Sequence, residues 1–301
     1  MPCFKPVNAW RGTNGSIVFD KNKSLGISIT LPCGQCIDCR LEKSRQWATR
    51  CMHEASQYDD NCFITLTYNN KNIPYDYSLT KPHFQKFMKR LRKKYEPKKI
   101  RFYQCGEYGE PTPENNYIAR PHYHALLFNH DFKDKIKWKK VNDQTYFLSK
   151  ELSALWPFGF STIGTVTFES AAYCARYIMK KINGDQADEH YKTTCHYTGQ
   201  TFDRLPEYAT MSRRPGLGAS WYDDFKSDCY PSDYIFTNGV RVTPPPYYDE
   251  LLRREDPELI AHIKELRMKS IKKHKKDLTP ERLAVREEVV QARISKLQRN
   301  L

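Results

Sequence analysis

Two histidines one residue apart, His122 and His124, open the apolar run Ala125-Leu-Leu-Phe128. In a strand, residues two apart point to one face, so both imidazoles can reach a single metal ion from a rigid platform. Pro121 sets the pair at the start of that strand. The preceding apolar run, Ile100 to Cys105, ends at Gly106-Glu107-Tyr108-Gly109. If the two runs pair as an antiparallel hairpin, Glu107 lands beside the histidines as an oxygen ligand, with Glu110 as the alternative. One core histidine and one loop-edge histidine is the ordinary reading of such a pair. The carboxylate at the end of the neighbouring run favours the metal reading.

The pattern after His124 excludes a zinc β-lactamase-like hydrolase, which continues His-x-His-x-Asp-His. The runs of short strands in small β-barrel oxygenases do not match the helices expected here.

A second constellation is Tyr173-Cys-Ala-Arg-Tyr177-Ile-Met-Lys180-Lys181. Helical positions i and i+4 share a face, so Tyr173 and Tyr177 stack one turn apart, with Lys181 a further turn on and Lys180 close by. Alone, this describes an ordinary amphipathic helix. A phenol of pKa about 10 is a poor nucleophile at neutral pH. A nearby ammonium and a metal-polarised phosphate favour the phenolate and its attack. The basic pair three and four residues on makes Tyr177 the expected first nucleophile.

Cys33, Cys36 and Cys39 repeat at three-residue spacing, and Cys3 offers a fourth thiol. Such spacing lets thiolates converge on one ion, and structural Zn²⁺ takes four ligands. An iron–sulfur cluster accepts similar spacing, and a thiol-rich loop without metal is the plain alternative. Cys51, Cys62, Cys105 and Cys174 sit singly in apolar stretches and read as small buried hydrophobes.

Lys and Arg number 49 against 35 Asp and Glu in 301 residues, a net charge of +14, which points to a polyanionic partner. Residues 261–301 hold 12 Lys and Arg against 5 Asp and Glu, half of that excess. Lys89, Arg90, Arg92 and Lys93 on one helix, with Arg213 and Arg214, are candidate phosphate contacts, and the abundant Tyr and Trp can stack on unpaired bases. No apolar run approaches the roughly 20 residues of a membrane helix. No apolar export segment follows Met1, so a reducing compartment is expected.

The elements that must position these groups follow from periodicity. Strands are expected at 26–31, 62–68, 100–105, 122–128 and 160–168. Helices are expected at 40–58, 149–156 and 169–181, and from Thr80, a candidate cap with Pro82 in the first turn. Strand, helix, strand, strand, short helix, strand, helix is an α+β order. It calls for a central antiparallel sheet with helices packed on one face. Four segments are expected: a Cys-rich N-terminal segment and helix (1–60), a core (61–185), a core extension (186–243) and a basic helical tail (244–301), the last set off by Pro244-Pro-Pro246.

Phe63-Ile-Thr-Leu-Thr-Tyr68, Arg120-Pro-His-Tyr-His-Ala-Leu-Leu-Phe128 and Tyr173-Cys-Ala-Arg-Tyr177-Ile-Met-Lys-Lys181 resemble, in order, the three motifs of the HUH endonucleases, a superfamily with a ferredoxin- or RRM-like core. The Tyr-x-x-x-Tyr form is similar to the two-tyrosine replication initiators. Met1-Pro-Cys3-Phe4, Leu31-Pro-Cys-Gly-Gln-Cys-Ile-Asp-Cys-Arg40 with Arg45-Gln-Trp47, and Ser212-Arg-Arg-Pro-Gly-Leu-Gly218 resemble the initiators of gokushoviruses, microviruses with circular single-stranded DNA. The likeness covers about residues 1–220.

The resemblance implies an enzyme that nicks a phage origin in single-stranded DNA with Mg²⁺ or Mn²⁺. It leaves a 5′-phosphotyrosine and a free 3′-OH for the host replication machinery, then rejoins the strand during rolling-circle replication. Imidazole ligands suit Mn²⁺ better than Mg²⁺, while abundance favours Mg²⁺. The implied place of action is the bacterial host cytoplasm, with no membrane partner. The alternative is a non-catalytic nucleic-acid-binding protein with an RRM-like sheet, although no Lys/Arg-Gly-Phe-Gly-Phe-like run is present. A zinc-dependent hydrolase acting on other substrates is a weaker third.

Overall fold

The computed structural model describes residues 3–110, 119–141, 144–177, 186–194, 199–273 and 275–296. In chain order the elements begin with β1 (Val7–Gly12), β2 (Ile17–Val18), β3 (Ser24–Leu31), α1 (Ile37–Ala55), β4 (Asn61–Thr67) and α2 (Lys81–Lys94). Next come β5 (Arg101–Tyr108), β6 (Pro121–Phe128), β7 (Ile136–Val141), β8 (Gln144–Leu148), α3 (Lys150–Leu155), β9 (Ser161–Gly164) and α4 (Phe168–Tyr177). The chain continues through α5 (Gln186–His190), β10 (Lys192–Thr194), β11 (Thr201–Asp203), β12 (Tyr208–Met211) and α6 (Ala219–Cys229). It closes with β13 (Ile235–Thr237), β14 (Val240–Val242), α7 (Pro246–Glu255), α8 (Pro257–Lys273) and α9 (Pro280–Lys296).

Where the sequence suggests four consecutive segments, packing groups the residues into two compact units. One joins the residues up to Ser44 with those from Asp249 on, and the other spans Arg45–Tyr248.

The larger unit is built on a seven-stranded sheet in the order β12-β5-β6-β4-β9-β8-β7, antiparallel at each pairing. The expected α+β architecture is therefore present. Its helices cover both faces, not one. Ile64, Leu66, Tyr123, Ala125 and Leu127 pack with Phe84, Phe87, Met88 and Leu91 of α2 and with Leu152 and Leu155 of α3. The alternate residues Phe63, Leu126, Phe128, Tyr103 and Cys105 pack with Ala48, Cys51 and Ala55 of α1 and with Ala171, Cys174 and Ala175 of α4. The reason lies in β6, whose residues Tyr123 to Phe128 are all buried. A strand apolar at every position needs cover on both sides.

Two local expectations are revised, and one hairpin has no counterpart in the periodicity. Thr80 precedes α2, but its hydroxyl makes no cap bond; its N–H donates to the Tyr123 hydroxyl instead (2.8 Å). The strand expected at 160–168 stops at Gly164. There Thr167 and Ser170 exchange side-chain-to-backbone bonds (2.9 and 3.2 Å) that start α4 at Phe168. The β7–β8 hairpin lies in a lysine-rich stretch with little apolar alternation. Every residue of β7 is exposed, so tertiary pairing, rather than burial, makes it a strand.

In the smaller unit, β2-β1-β3 form a sheet. Its compact part gathers Cys3, Phe4 and Cys36 around Leu283 of α9, with Leu278 and Val290 beside them. The basic C-terminal helices thus supply core residues and are not a loose tail. Arg267 of α8 forms a two-bond ion pair with the mostly buried Asp249 (2.6 and 2.9 Å). Among the described residues, no helix is long and apolar enough to cross a membrane.

Candidate metal centre and nucleophile helix

Residues opposite one another on paired antiparallel strands share a face. The β5–β6 register sets Glu107 opposite His122 and Cys105 opposite His124, while the β4–β6 register sets Thr65 opposite His124 and Thr67 opposite His122. Gly106 makes room for this stretch of β5, since a Cβ there would lie 3.0 Å from both Leu79 and Tyr208.

Oε1 of Glu107 meets Nε2 of His122 at 2.5 Å and Nε2 of His124 at 2.9 Å. The far nitrogens are held as well. His122 Nδ1 lies 3.2 Å from the Arg120 carbonyl, and His124 Nδ1 lies 2.9 Å from the Thr65 hydroxyl. The Phe63 ring stacks on His124 at 5.5 Å between centroids and 7° between planes. Such outer contacts fix ring orientation in metal-ligating histidines. Thr65 was not singled out from the sequence. The available signal was a Thr recurring on one face of an otherwise apolar strand.

The chemistry of the group suits a cation. Glu107 is 1% exposed, and its Oε2 has no hydrogen-bond partner among the described residues. A buried carboxylate oxygen without a partner is costly and calls for an ion or water. Burial alone would raise the Glu107 pKa, but hydrogen bonds from His122 and His124 outweigh it and hold it below the ordinary value. Burial pushes His124 below the usual imidazole value, against the pull of Glu107. A carboxylate beside a neutral imidazole is the protonation state that a metal requires. The three ligand atoms lie within 4.8 Å of one another.

Tyr173 reaches this centre from α4. Its hydroxyl lies 3.4 Å from the same Oε1, and its ring stands edge-on to His124 at 5.0 Å and 87°. The small buried residues Ala171, Cys174 and Ala175 let α4 approach the sheet closely. Tyr177 is the last residue of α4, one turn on. Its side chain, and all of Lys180 and Lys181, lie outside the described residues.

The second ligand cluster is also assembled. The sulfurs of Cys3, Cys33, Cys36 and Cys39 lie within 4.8 Å of one another, and all four are free thiols. Cys3 and Cys36 are 3.9 Å apart, close to the roughly 3.8 Å edge of a tetrahedron with Zn–S bonds of about 2.3 Å. Burial would raise the Cys33 pKa, yet the N–H groups of Cys36 (3.2 Å) and Gln35 (3.4 Å) donate to its sulfur and bring it down to about 7. The Cys33 N–H in turn donates to Cys3 Sγ at 3.2 Å.

The basic candidates are dispersed. Lys89, Arg90, Arg92 and Lys93 lie on α2, on the sheet face opposite Glu107 and the histidines. Arg90 and Arg92 donate to the carbonyls of Leu155 and Ile100. Lys89 and Lys93 are exposed, as are Arg213 and Arg214 beyond β12.

A family model described as replication-associated protein ORF2/G2P matches residues 61–182, the stretch carrying both histidines, Glu107 and the tyrosine helix. The chain is 31% identical over 270 residues to replication-associated protein VP4 of Bdellovibrio phage phiMH2K, covering 86% of this chain and 79% of that one. It is 32% identical over 286 residues to replication-associated protein ORF2 of Spiroplasma virus 4, covering 89% and 82%. Replication-associated protein ORF4 of Chlamydia phage 1 is 28% identical over 242 residues, covering 77% and 56%. No solved structure matches.

Proposed function

The chain belongs to the replication-associated proteins of the ORF2/G2P family, and on that premise we propose that it is a replication initiator that nicks and rejoins single-stranded phage DNA through a phosphotyrosine. The observation that carries this reading is the Tyr173 hydroxyl at 3.4 Å from the oxygen of Glu107 that both imidazoles also meet. A nucleophile and two imidazoles then share one carboxylate oxygen.

Glu107, His122 and His124 are the residues that would hold Mg²⁺ or Mn²⁺, which polarises a phosphate oxygen and stabilises charge developing on it. Tyr173 attacks the phosphorus. The new bond joins the phenolic oxygen to phosphorus, the bond to O3′ breaks, and the 3′-OH is released with the 5′-phosphate held on the protein. The phenol gives its proton to solvent as the bond forms and the departing O3′ takes one up from solvent, so protons balance, while the hydrogen bond to Glu107 orients the phenol. Thr65 and the Arg120 carbonyl keep the two imidazoles oriented throughout.

A second nucleophile is useful once one strand end is covalently held. Tyr177 is proposed for that role, with Lys180 or Lys181 assisting. The released 3′-OH would serve the host replication machinery as primer, and its later attack on the phosphotyrosine closes the circle. The basic residues at 89, 90, 92, 93, 213 and 214 are proposed as phosphate contacts that add affinity. Arg90 and Arg92 do so less, because they are already engaged. The four-cysteine cluster is proposed as a structural Zn²⁺ site with no part in the chemistry.

The test is a denaturing gel of the protein with labelled origin single strand. A covalent adduct that needs Mg²⁺ or Mn²⁺ is expected. Tight binding without an adduct would mean a binding protein instead.

A further inference from the structure

The face of the sheet that carries Glu107 and the histidines continues beyond them. Thr67 lies opposite His122, and its N–H donates to the Phe160 carbonyl (2.9 Å), which carries the cross-strand row one strand further. Gly159 makes that approach possible, because a Cβ there would lie 2.4 Å from Asn69 N and Thr67 O. Phe160, the residue before β9, is thus two strand spacings, about 10 Å, from His122. Phe160 is 46% exposed and its ring meets that of Trp138, a residue 44% exposed, at 5.1 Å and 67°.

Trp138 belongs to the edge strand β7, where the register with β8 shifts between Lys137 and Lys139. Such an irregularity re-aims a side chain. Lys139 Nζ lies 4.4 Å from the Trp138 ring centroid, and Lys137, Lys139 and Lys140 are exposed along the same strand.

Two exposed aromatic rings at the open end of a sheet have no role in the core. Folding leaves them in water beside clustered ammonium groups. A ligand complementary to this surface carries flat apolar rings and negative charge together, which describes a single-stranded nucleic acid. Bases stack on aromatic side chains, while phosphates meet lysines.

We propose that Phe160 and Trp138 form a stacking ledge for unpaired bases of the DNA strand, with Lys137 and Lys139 contacting its backbone. The ledge leads the strand along the sheet toward Glu107, His122 and His124. This rests on the reading of that centre as a DNA-processing site, but the ledge is tested separately, through binding.

The experiment measures fluorescence anisotropy of a labelled oligothymidylate that lacks an origin, and of an abasic strand of the same length, without added Mg²⁺ or Mn²⁺. The chains compared are wild type, Trp138→Ala, Phe160→Ala and Trp138→Phe. Both alanine variants should bind oligothymidylate about 5- to 100-fold more weakly, with little change for the abasic strand, and Trp138→Phe should recover most of the loss. Equal affinity of wild type and both alanine variants for oligothymidylate would overturn the ledge. So would an equal loss on both strands, or no recovery by Trp138→Phe. Because no cleavage is read, the nuclease and the ledge can fail independently. An adduct-forming protein whose Trp138→Ala variant binds normally removes only the ledge. A protein that forms no adduct yet depends on Trp138 for binding bases removes only the nuclease.

Discussion

The carboxylate of Glu107 and the phenol of Tyr173 come from distant parts of the chain, a strand and a helix, yet their oxygens stand 3.4 Å apart. The contact depends on two independent alignments. The hairpin register puts Glu107 across from His122, and the small residues of α4 bring the helix down onto the sheet. Each alignment can be perturbed without the other.

Removing an imidazole should remove chemistry and spare affinity. His122→Ala or His124→Ala is expected to lower cleavage of origin single strand at least 100-fold, while the dissociation constant for that strand changes by less than about threefold, since phosphate contacts elsewhere carry binding. Cleavage rates and anisotropy on the same preparations check this. Cleavage at the wild-type rate by both variants would rule out the ligand assignment.

The centre was readable from sequence to an uneven depth. The His-x-His pair and Glu107 could be placed on one face because strand alternation and a hairpin leave few other arrangements. Thr65 could not, since its role depends on which strand pairs with β6 on the side away from β5, and that is set by the order of the whole sheet. The sequence spacing favours Tyr177 through Lys180 and Lys181, but those lysines and the Tyr177 side chain lie outside the described residues; the contact that is described is made by Tyr173. Cover on both faces is legible in the unbroken apolar run of β6, whereas the order of elements alone calls for helices on one face. The β7–β8 hairpin was hidden because its residues are lysine-rich and exposed, which leaves periodicity with nothing to report.

The cysteine cluster should carry metal independently of the histidines. Purified protein is expected to contain about one equivalent of zinc by elemental analysis, retained in His122→Ala and lost in Cys33→Ser or Cys36→Ser. Zinc that disappears with His122 and persists in the cysteine variants would reverse the assignment of the two sites.

Residues 261–301 hold half of the net positive charge and should raise affinity for DNA without choosing the cut. Leu283 is buried against Cys3 and Phe4, so deleting the segment would dismantle a core. Charge removal is the cleaner probe. Neutralising the exposed Lys264, Lys272 and Lys273 to Gln should reduce the slope of log affinity against log salt by about 2, from roughly 0.7 per single-strand phosphate contact. The cut position should stay fixed. An unchanged salt slope would place these charges away from DNA.

Acid should destabilise the larger unit through His53. Burial holds this imidazole at about 4; it stacks on Trp221 at 3.5 Å and its Nδ1 lies 2.8 Å from the Tyr248 hydroxyl. Because the folded pKa is below the unfolded one, the unfolded chain takes up the proton first. Stability is therefore full above about 6.5 and falls as pH drops toward 4, by on the order of 2–3 kcal/mol from this residue. Denaturant unfolding of wild type and His53→Phe at pH 7 and pH 4.5 checks it. The variant should lose markedly less stability between the two, and equal losses would contradict the assignment.

The most direct test is the chemical identity of the DNA-bearing residue. Arg176 lies between Tyr173 and Tyr177, so trypsin separates the two tyrosines onto different peptides. Protein cross-linked by its own reaction to a short origin strand, in Mn²⁺, is digested with trypsin and nuclease and read by mass spectrometry. After the first nick, the nucleotide phosphate should be found mainly on the peptide ending at Arg176. Tyr173→Phe should slow that nick more than Tyr177→Phe does, and the double variant should form no adduct. A nucleotide on any residue other than Tyr173 or Tyr177, or an adduct that survives the double variant, would contradict the account.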